Sequence, residues 1–323
     1  MHRRDFIVMA TGAMALGTLA ACSSHVMRGL PSSIAPPLDA TAYRAQRRMV
    51  KTRFGNIACI DRGNGAAALF LHGFPLNSFQ WRGAIDRLSP YRRCIAPDLL
   101  GLGYTEVEPG QSVSPDAQVE MLAALLDALG IATVDLVAND SGGAVAQMFV
   151  VRHPDRVRSL LLTNCDAEPD CPPPALLPVL ELARKGEFVS QWLAPWLADK
   201  TLARSAQGLG GMTFTHPHNP SDEAIDYYLS PLVAAPDRTH AYAIALERNW
   251  LAGFEPKLRR CRAPTRIVWG TGDTIFSRES PVYLDRTLGN SRGVRYVEHA
   301  KLFFPEEFPD VVAEEARRLW REA

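Results

Sequence analysis

An apolar run at residues 133–138, Thr-Val-Asp-Leu-Val-Ala, ends at Asn139-Asp140-Ser141-Gly142-Gly143 and gives way at once to a stretch with apolar residues at helical spacing, 142–153. A strand that turns directly into a helix needs small side chains at the bend. It also needs a crossover to reach its next strand, which is how parallel sheets are built. The same alternation of short apolar runs and longer helical stretches extends from Arg47 to the end of the chain. It predicts strands near 47–53, 56–61, 67–71, 93–97, 133–138, 158–163, 265–269 and 294–298, with covering helices that include 113–129 and 142–153. The expected fold is α/β, with a mostly parallel eight-stranded sheet flanked by helices.

At 323 residues the chain has room for one large core and an insertion. Residues 167–240 break the alternation. They open on Pro172-Pro173-Pro174 and continue with helical stretches at 176–188, 189–202 and 222–232, which predicts a helical cap inserted between core segments 43–166 and 241–323. The last helix, near 309–321, returns to the core. Lysines plus arginines and aspartates plus glutamates number 35 each, so no electrostatic footprint for nucleic acid is present.

The N-terminus begins Met1-His2-Arg3-Arg4-Asp5-Phe6, followed by an apolar run to Ala21 that contains Thr11, Gly12 and Gly17. This resembles a twin-arginine export signal, and the run is short for a bilayer span of about 20 apolar residues. It closes on Leu19-Ala20-Ala21-Cys22, which resembles a lipobox, so segment 1–22 is expected to be an export signal with Cys22 as the lipidated residue. A plain signal peptide cut near Ala21, or an uncleaved anchor, is the alternative. Export predicts a periplasmic or cell-envelope location, with membrane association through the lipid. Residues 23–42, rich in proline and serine, read as a tether. Six cysteines occur without zinc spacing. Cys165 and Cys171 are near enough in sequence to bridge in an oxidising compartment, and the disulfide state stays open.

At the bend 138–143 the chain resembles the α/β-hydrolase family, with Asp140 at the tip of the nucleophile elbow. Two further loops occur in family order: Leu71-His72-Gly73-Phe74-Pro75 after the third strand and Pro97-Asp98-Leu-Leu-Gly101-Leu-Gly103-Tyr104 after the fourth. The resemblance covers about residues 45–323 apart from the cap. It implies an oxyanion hole made by the backbone amides of Phe74 and Ser141, which bind developing charge whatever their side chains. An aspartate at the tip resembles haloalkane dehalogenases and epoxide hydrolases, whose carboxylate attacks carbon to form an ester that water then hydrolyses. A carboxylate needs no deprotonation for that attack. The alternative is that Asp140 only caps the following helix. Asp273, in Trp269-Gly270-Thr271-Gly272-Asp273 after the seventh strand, is the implied acid, with Asp166 after the sixth as runner-up.

The histidine expected before Pro305-Glu306-Glu307 is replaced, since the chain reads Ala300-Lys301-Leu302-Phe303-Phe304 and Leu302 takes the histidine position. A serine nucleophile fails without that base, whereas an aspartate loses only the base of its second step. His299 and Lys301 are the nearest substitutes in sequence. Dehalogenases usually place a tryptophan after the nucleophile and often an asparagine after His-Gly, where this chain has Ser141 and Phe74. His-Gly-Phe-Pro is closer to epoxide hydrolases, which polarise the epoxide with cap tyrosines, here Tyr227 or Tyr228. Trp192, Leu193, Trp196 and Leu197, at helical spacing, either roof an apolar pocket or pack cap on core. The expectation is a hydrolase of a small apolar molecule (alkyl halide, epoxide or ester) with no cofactor and no metal. The rivals are a binding protein of the same fold that does not turn over and an esterase using Ser141.

Overall fold

The computed structural model describes residues 38–321. The export signal, Cys22 and most of the tether lie outside the described residues. The eight strands are β1 (Arg47–Thr52), β2 (Gly55–Arg62), β3 (Ala67–Leu71), β4 (Arg93–Pro97), β5 (Val134–Asp140), β6 (Val157–Cys165), β7 (Thr265–Gly270) and β8 (Ser291–Val297). They form one sheet in the order β1-β2-β4-β3-β5-β6-β7-β8. β2 is antiparallel to both its neighbours, β1 and β4, and every later pairing is parallel. The central strands β3 and β5 are buried along their whole length, as continuous apolar runs must be when helices cover both faces. Apart from Asp140 at the end of β5, the charged residue in these strands is Asp135, matched by Arg92 and Arg158 at 2.9 and 2.7 Å, as a buried carboxylate requires.

Two expected boundaries shift. The tether does not reach 42: a helix, Ala40–Gln46, begins inside it, capped by the Asp39 side chain. That helix is docked, with the Tyr43 hydroxyl donating to the Ser78 carbonyl at 2.7 Å and the Ala40 amide to Glu223 at 2.8 Å. The cap does not close at 240, because helix Pro236–Ala245 runs through that position. Helices continue to Leu258 before β7 begins. Periodicity within a helix carries no mark of which layer the helix belongs to, so these limits depend on packing.

The cap is tied to the core by a buried polar knot. Arg82 donates to Glu306 at 2.8 Å and to the Tyr228 hydroxyl at 3.2 Å, and Tyr228 donates to the other Glu306 oxygen at 2.6 Å. Arg82 and Glu306 are almost fully withdrawn from solvent. Each charge therefore depends on the other for its solvation.

Candidate active site

β5 delivers Asp140 at the C-terminal end of the sheet, where ligands bind in open α/β folds. The backbone there has φ 54° and ψ −136°, a strained left-handed conformation for a residue with a side chain. Two glycines make the bend possible. A Cβ on Gly142 would lie 2.3 Å from the His72 carbonyl oxygen, and one on Gly73 would lie 2.1 Å from Oδ2 of Asp140. The loop after β3 thus closes directly on the carboxylate, and its Phe74 amide donates to Asp140 Oδ2 at 2.7 Å. His72 holds that loop, with Nε2 accepting from the Leu99 amide at 3.0 Å and Nδ1 3.0 Å from the Gly73 carbonyl. Both ring nitrogens are occupied, so His72 is structural.

Asp140 makes no side-chain capping bond to the helix Ser141–Arg152 that it precedes. Burial raises the Asp140 carboxyl to about 7, opposed by the amides of Ser141 and Phe74, which favour its charged form. The Ser141 hydroxyl is 3.3 Å from the Tyr242 hydroxyl, and Tyr242 stacks on Phe74.

Asp140 faces a cavity of about 110 Å3 between the sheet end and the cap. This is the scale of the ~150 Å3 cavities that take up benzene. Aromatic walls come from Phe74, Phe188, Trp192, Trp196, Trp250 and Phe276. Trp192 and Trp196 thus do roof an apolar pocket. The charged residues in the lining are two carboxyls, Asp140 and Asp166, and no lysine, arginine or histidine is among the lining side chains. Leu302, in the loop after β8, is part of the wall. Its carbonyl accepts from Asn139, whose amide also donates to the Asn164 carbonyl.

Asp273 lies close behind the cavity wall, near enough to raise the Asp140 carboxyl. It accepts from Asn164 at 2.7 Å and from the Ile275 amide at 2.8 Å. Burial nonetheless lifts it to about 6. Asn164, which also grips the β7 end by accepting from Gly270 and donating back to it, was not singled out from sequence. Its position at the end of β6, level with the strand end carrying Asp140, was the available signal.

Four expected side chains are elsewhere. His299 is exposed, has φ 59°, and sits in a separate surface depression with Trp269, Arg278 and Tyr296. Lys301 points to the cap, where its Nζ donates to the Gly211 carbonyl at 2.6 Å. Neither lines the cavity that holds Asp140, so neither is placed as a substitute base. Tyr228 belongs to the Arg82–Glu306 knot. Tyr227 stacks on Phe79 with ring centres 4.4 Å apart and accepts from Arg47 at 3.1 Å. Both tyrosines pack cap on core and do not line the cavity. Cys165 and Cys171 are free thiols, as are the other three described cysteines.

The profile of the alpha/beta hydrolase fold family matches residues 68–308. Haloalkane dehalogenase 2 of Mycobacterium tuberculosis is 26% identical over 290 residues, covering 85% of this chain and 95% of that protein. Among solved structures, the epoxide hydrolase CorEH superposes with a TM-score of 0.68 at 20% identity, covering 85% of this chain and 98% of that one. The haloalkane dehalogenase DbeA of Bradyrhizobium elkani also gives 0.68, at 23% identity, covering 86% and 99%. At those identities the two structures speak for the fold.

Proposed function

The chain belongs to the alpha/beta hydrolase fold family, and on that premise we propose that it is a hydrolase whose Asp140 attacks a saturated, electrophilic carbon of a small apolar molecule, an epoxide or an alkyl halide. The observation that carries this reading is the 2.7 Å bond from the Phe74 amide to Oδ2 of Asp140 in the wall of an apolar cavity. With Oδ2 held, Oδ1 is the oxygen left to form the new C–O bond. The same amides then stabilise the oxyanion when water attacks the ester carbonyl. Aromatic walls suit an apolar substrate, and exclusion of water strengthens the nucleophile.

Leu302, in our reading, occupies the place of the general base. Asp273 is left as an orienting acid without its histidine, hydrogen-bonded instead to Asn164. Attack by Asp140 is unaffected by this exchange, whereas release of the ester loses its usual catalyst. The absence of a basic side chain from the cavity lining favours a second reading, a ligand-binding protein that does not turn over. An esterase working through Ser141 is supported least, because its hydroxyl pairs with Tyr242 and no base faces it. From the Arg3-Arg4 signal and Cys22 we further infer that the protein works in the cell envelope on a lipid tether.

Intact-protein mass spectrometry after exposure to styrene oxide or 1-bromohexane tests the reading. A covalent adduct that maps to Asp140 and disappears in Asp140→Asn is expected. In single-turnover hydrolysis in 18O-water, the label should enter the protein and leave the product unlabelled. Binding of both compounds without any adduct or product would favour the second reading.

A further inference from the structure

The cavity holds a second carboxyl that the reaction above leaves unused, that of Asp166. It follows β6 directly, and β6 pairs with β5 so that Cys165 is the register partner of Asp140. Adjacent strands are about 4.8 Å apart, so the next residue is carried to the same end of the sheet and into the same cavity, where both aspartates contribute to the wall. Its backbone is fixed by Gln147, which donates to the Asp166 carbonyl at 2.8 Å. The Cys171 thiol, also in the wall, hydrogen-bonds its carboxyl.

Three other hydrogen-bond donors in the lining are already engaged, and the Trp192 and Trp196 indoles hold their N–H protons too tightly to release them to a leaving oxygen. Thr213 donates to the Leu209 carbonyl at 2.6 Å, the Trp250 indole to the Ala245 carbonyl at 2.8 Å, and Ser141 pairs with Tyr242. Tyr227 and Tyr228 are outside. We propose that Asp166 is the catalytic acid and then the catalytic base of this site, and that the substrate class it selects is the epoxide. This rests on Asp140 being the nucleophile.

The protons balance within the pair. Asp140 Oδ1 forms a bond to the epoxide carbon, the C–O bond breaks, and the released oxygen takes the proton of the Asp166 carboxyl. Asp166 is now a carboxylate and removes a proton from water as that water attacks the Asp140 ester carbonyl. On collapse, the departing diol oxygen takes the proton back from Asp166. Asp140 is left as an acid and returns its own proton to Asp166. Epoxide plus water gives diol, with neither histidine nor tyrosine taking part.

Protonation states agree with these roles. Burial, then the nearby Asp140, push the Asp166 carboxyl well above the usual range, opposed by Cys171, while Asp170 adds to the rise. Asp140, by contrast, is held toward its charged form by the amides of Ser141 and Phe74. Two carboxyls whose surroundings drive their proton affinities apart divide naturally into nucleophile and acid. An alkyl halide exploits only half of this: its leaving group takes no proton, Asp166 stays protonated, and the ester stalls.

The experiment compares Asp166→Asn with the parent protein on styrene oxide and 1-bromohexane, with thermal melting as a check of the fold and Asp140→Asn as control. Asp166→Asn should open styrene oxide about 10²-fold or more slowly, the usual worth of a positioned proton donor. Its alkylation by 1-bromohexane should fall at least about tenfold less than its epoxide opening. Unchanged epoxide opening, or an equal loss on both compounds, would overturn the role of Asp166 while leaving Asp140 in place. A parent protein inert to styrene oxide, or diol formation that survives Asp140→Asn, would overturn both.

Discussion

At the residue scale, the proposed chemistry turns on Asp140 and on Leu302, which we read as standing where a base would. On our proposal Asp140 forms an ester with an alkyl halide without a proton donor, one of its oxygens being fixed by a backbone amide. Leu302 is 3% exposed in the wall of the same cavity, and its carbonyl is pinned by Asn139 at 3.1 Å. A side chain exchanged there enters the cavity on a backbone that is already held. Leu302→His should therefore release the ester left by 1-bromohexane about 10²-fold faster or more, as a positioned base does. The rate of ester formation should be little changed. Loss of the mass adduct over time reports the first quantity, and bromide release in the first turnover the second. An adduct equally persistent in Leu302→His would show that the loop after β8 does not serve the second step.

At the element scale, the strand-turn-helix at β5 and the cap helix Asp222–Val233 show two ways in which a sequence pattern meets tertiary constraint. The bend was legible because its requirements are local: small residues where the chain folds back on the His72 loop, and apolar runs on either side. The cap helix was legible as a helix but not in its rotation. Tyr227 and Tyr228 are neighbours on that helix, yet both point to core elements, one to Phe79 and Arg47, the other to Arg82 and Glu306. Tyr228→Phe removes one donor to a buried carboxylate and should destabilise the fold by about 1–3 kcal/mol. Denaturant titration measures this, and reactivity of Asp140 toward 1-bromohexane should be unaltered. A loss of reactivity without loss of stability would return Tyr228 to the site.

For the whole molecule, the site is an accumulation of buried carboxyls that folding has to tolerate. Asp140 rises to about 7 and Asp273 to about 6 because burial disfavours their charged forms. Groups raised in the folded state contribute stability that is complete below their unfolded values, near 3.9, and is lost as pH climbs through 6 and 7. Asp140→Asn removes one of them with little change of shape. The variant's stability advantage over the parent should be absent below about pH 3.9 and should grow between pH 5 and pH 8 by an amount on the order of 2 kcal/mol. Melting curves at the two pH values check this, and a difference that does not grow with pH would show that Asp140 is not penalised by burial. A site that lowers stability at the pH where Asp140 is charged fits a place of function better than one of structure.

Much of this molecule could be read in one dimension. The eight strands and the bend at Asp140 follow from periods of two and 3.6 and from small residues at turns, because those signals are set by neighbours in the chain, whereas the Phe74 loop was implied by the family resemblance. Where the cap ends, whether His299 or Lys301 reaches Asp140, and which side chains enter the cavity were decided elsewhere. His299 is only three residues from Leu302, yet it faces the surface, because the loop after β8 turns through a positive φ there. Asp166 is 26 residues from Asp140 and shares its cavity, because β5 and β6 run parallel and in register. Sequence determined the elements and the residue at the tip of the bend. Proximity across strands and the rotation of each helix, which arise only when surfaces are buried together, determined what surrounds it.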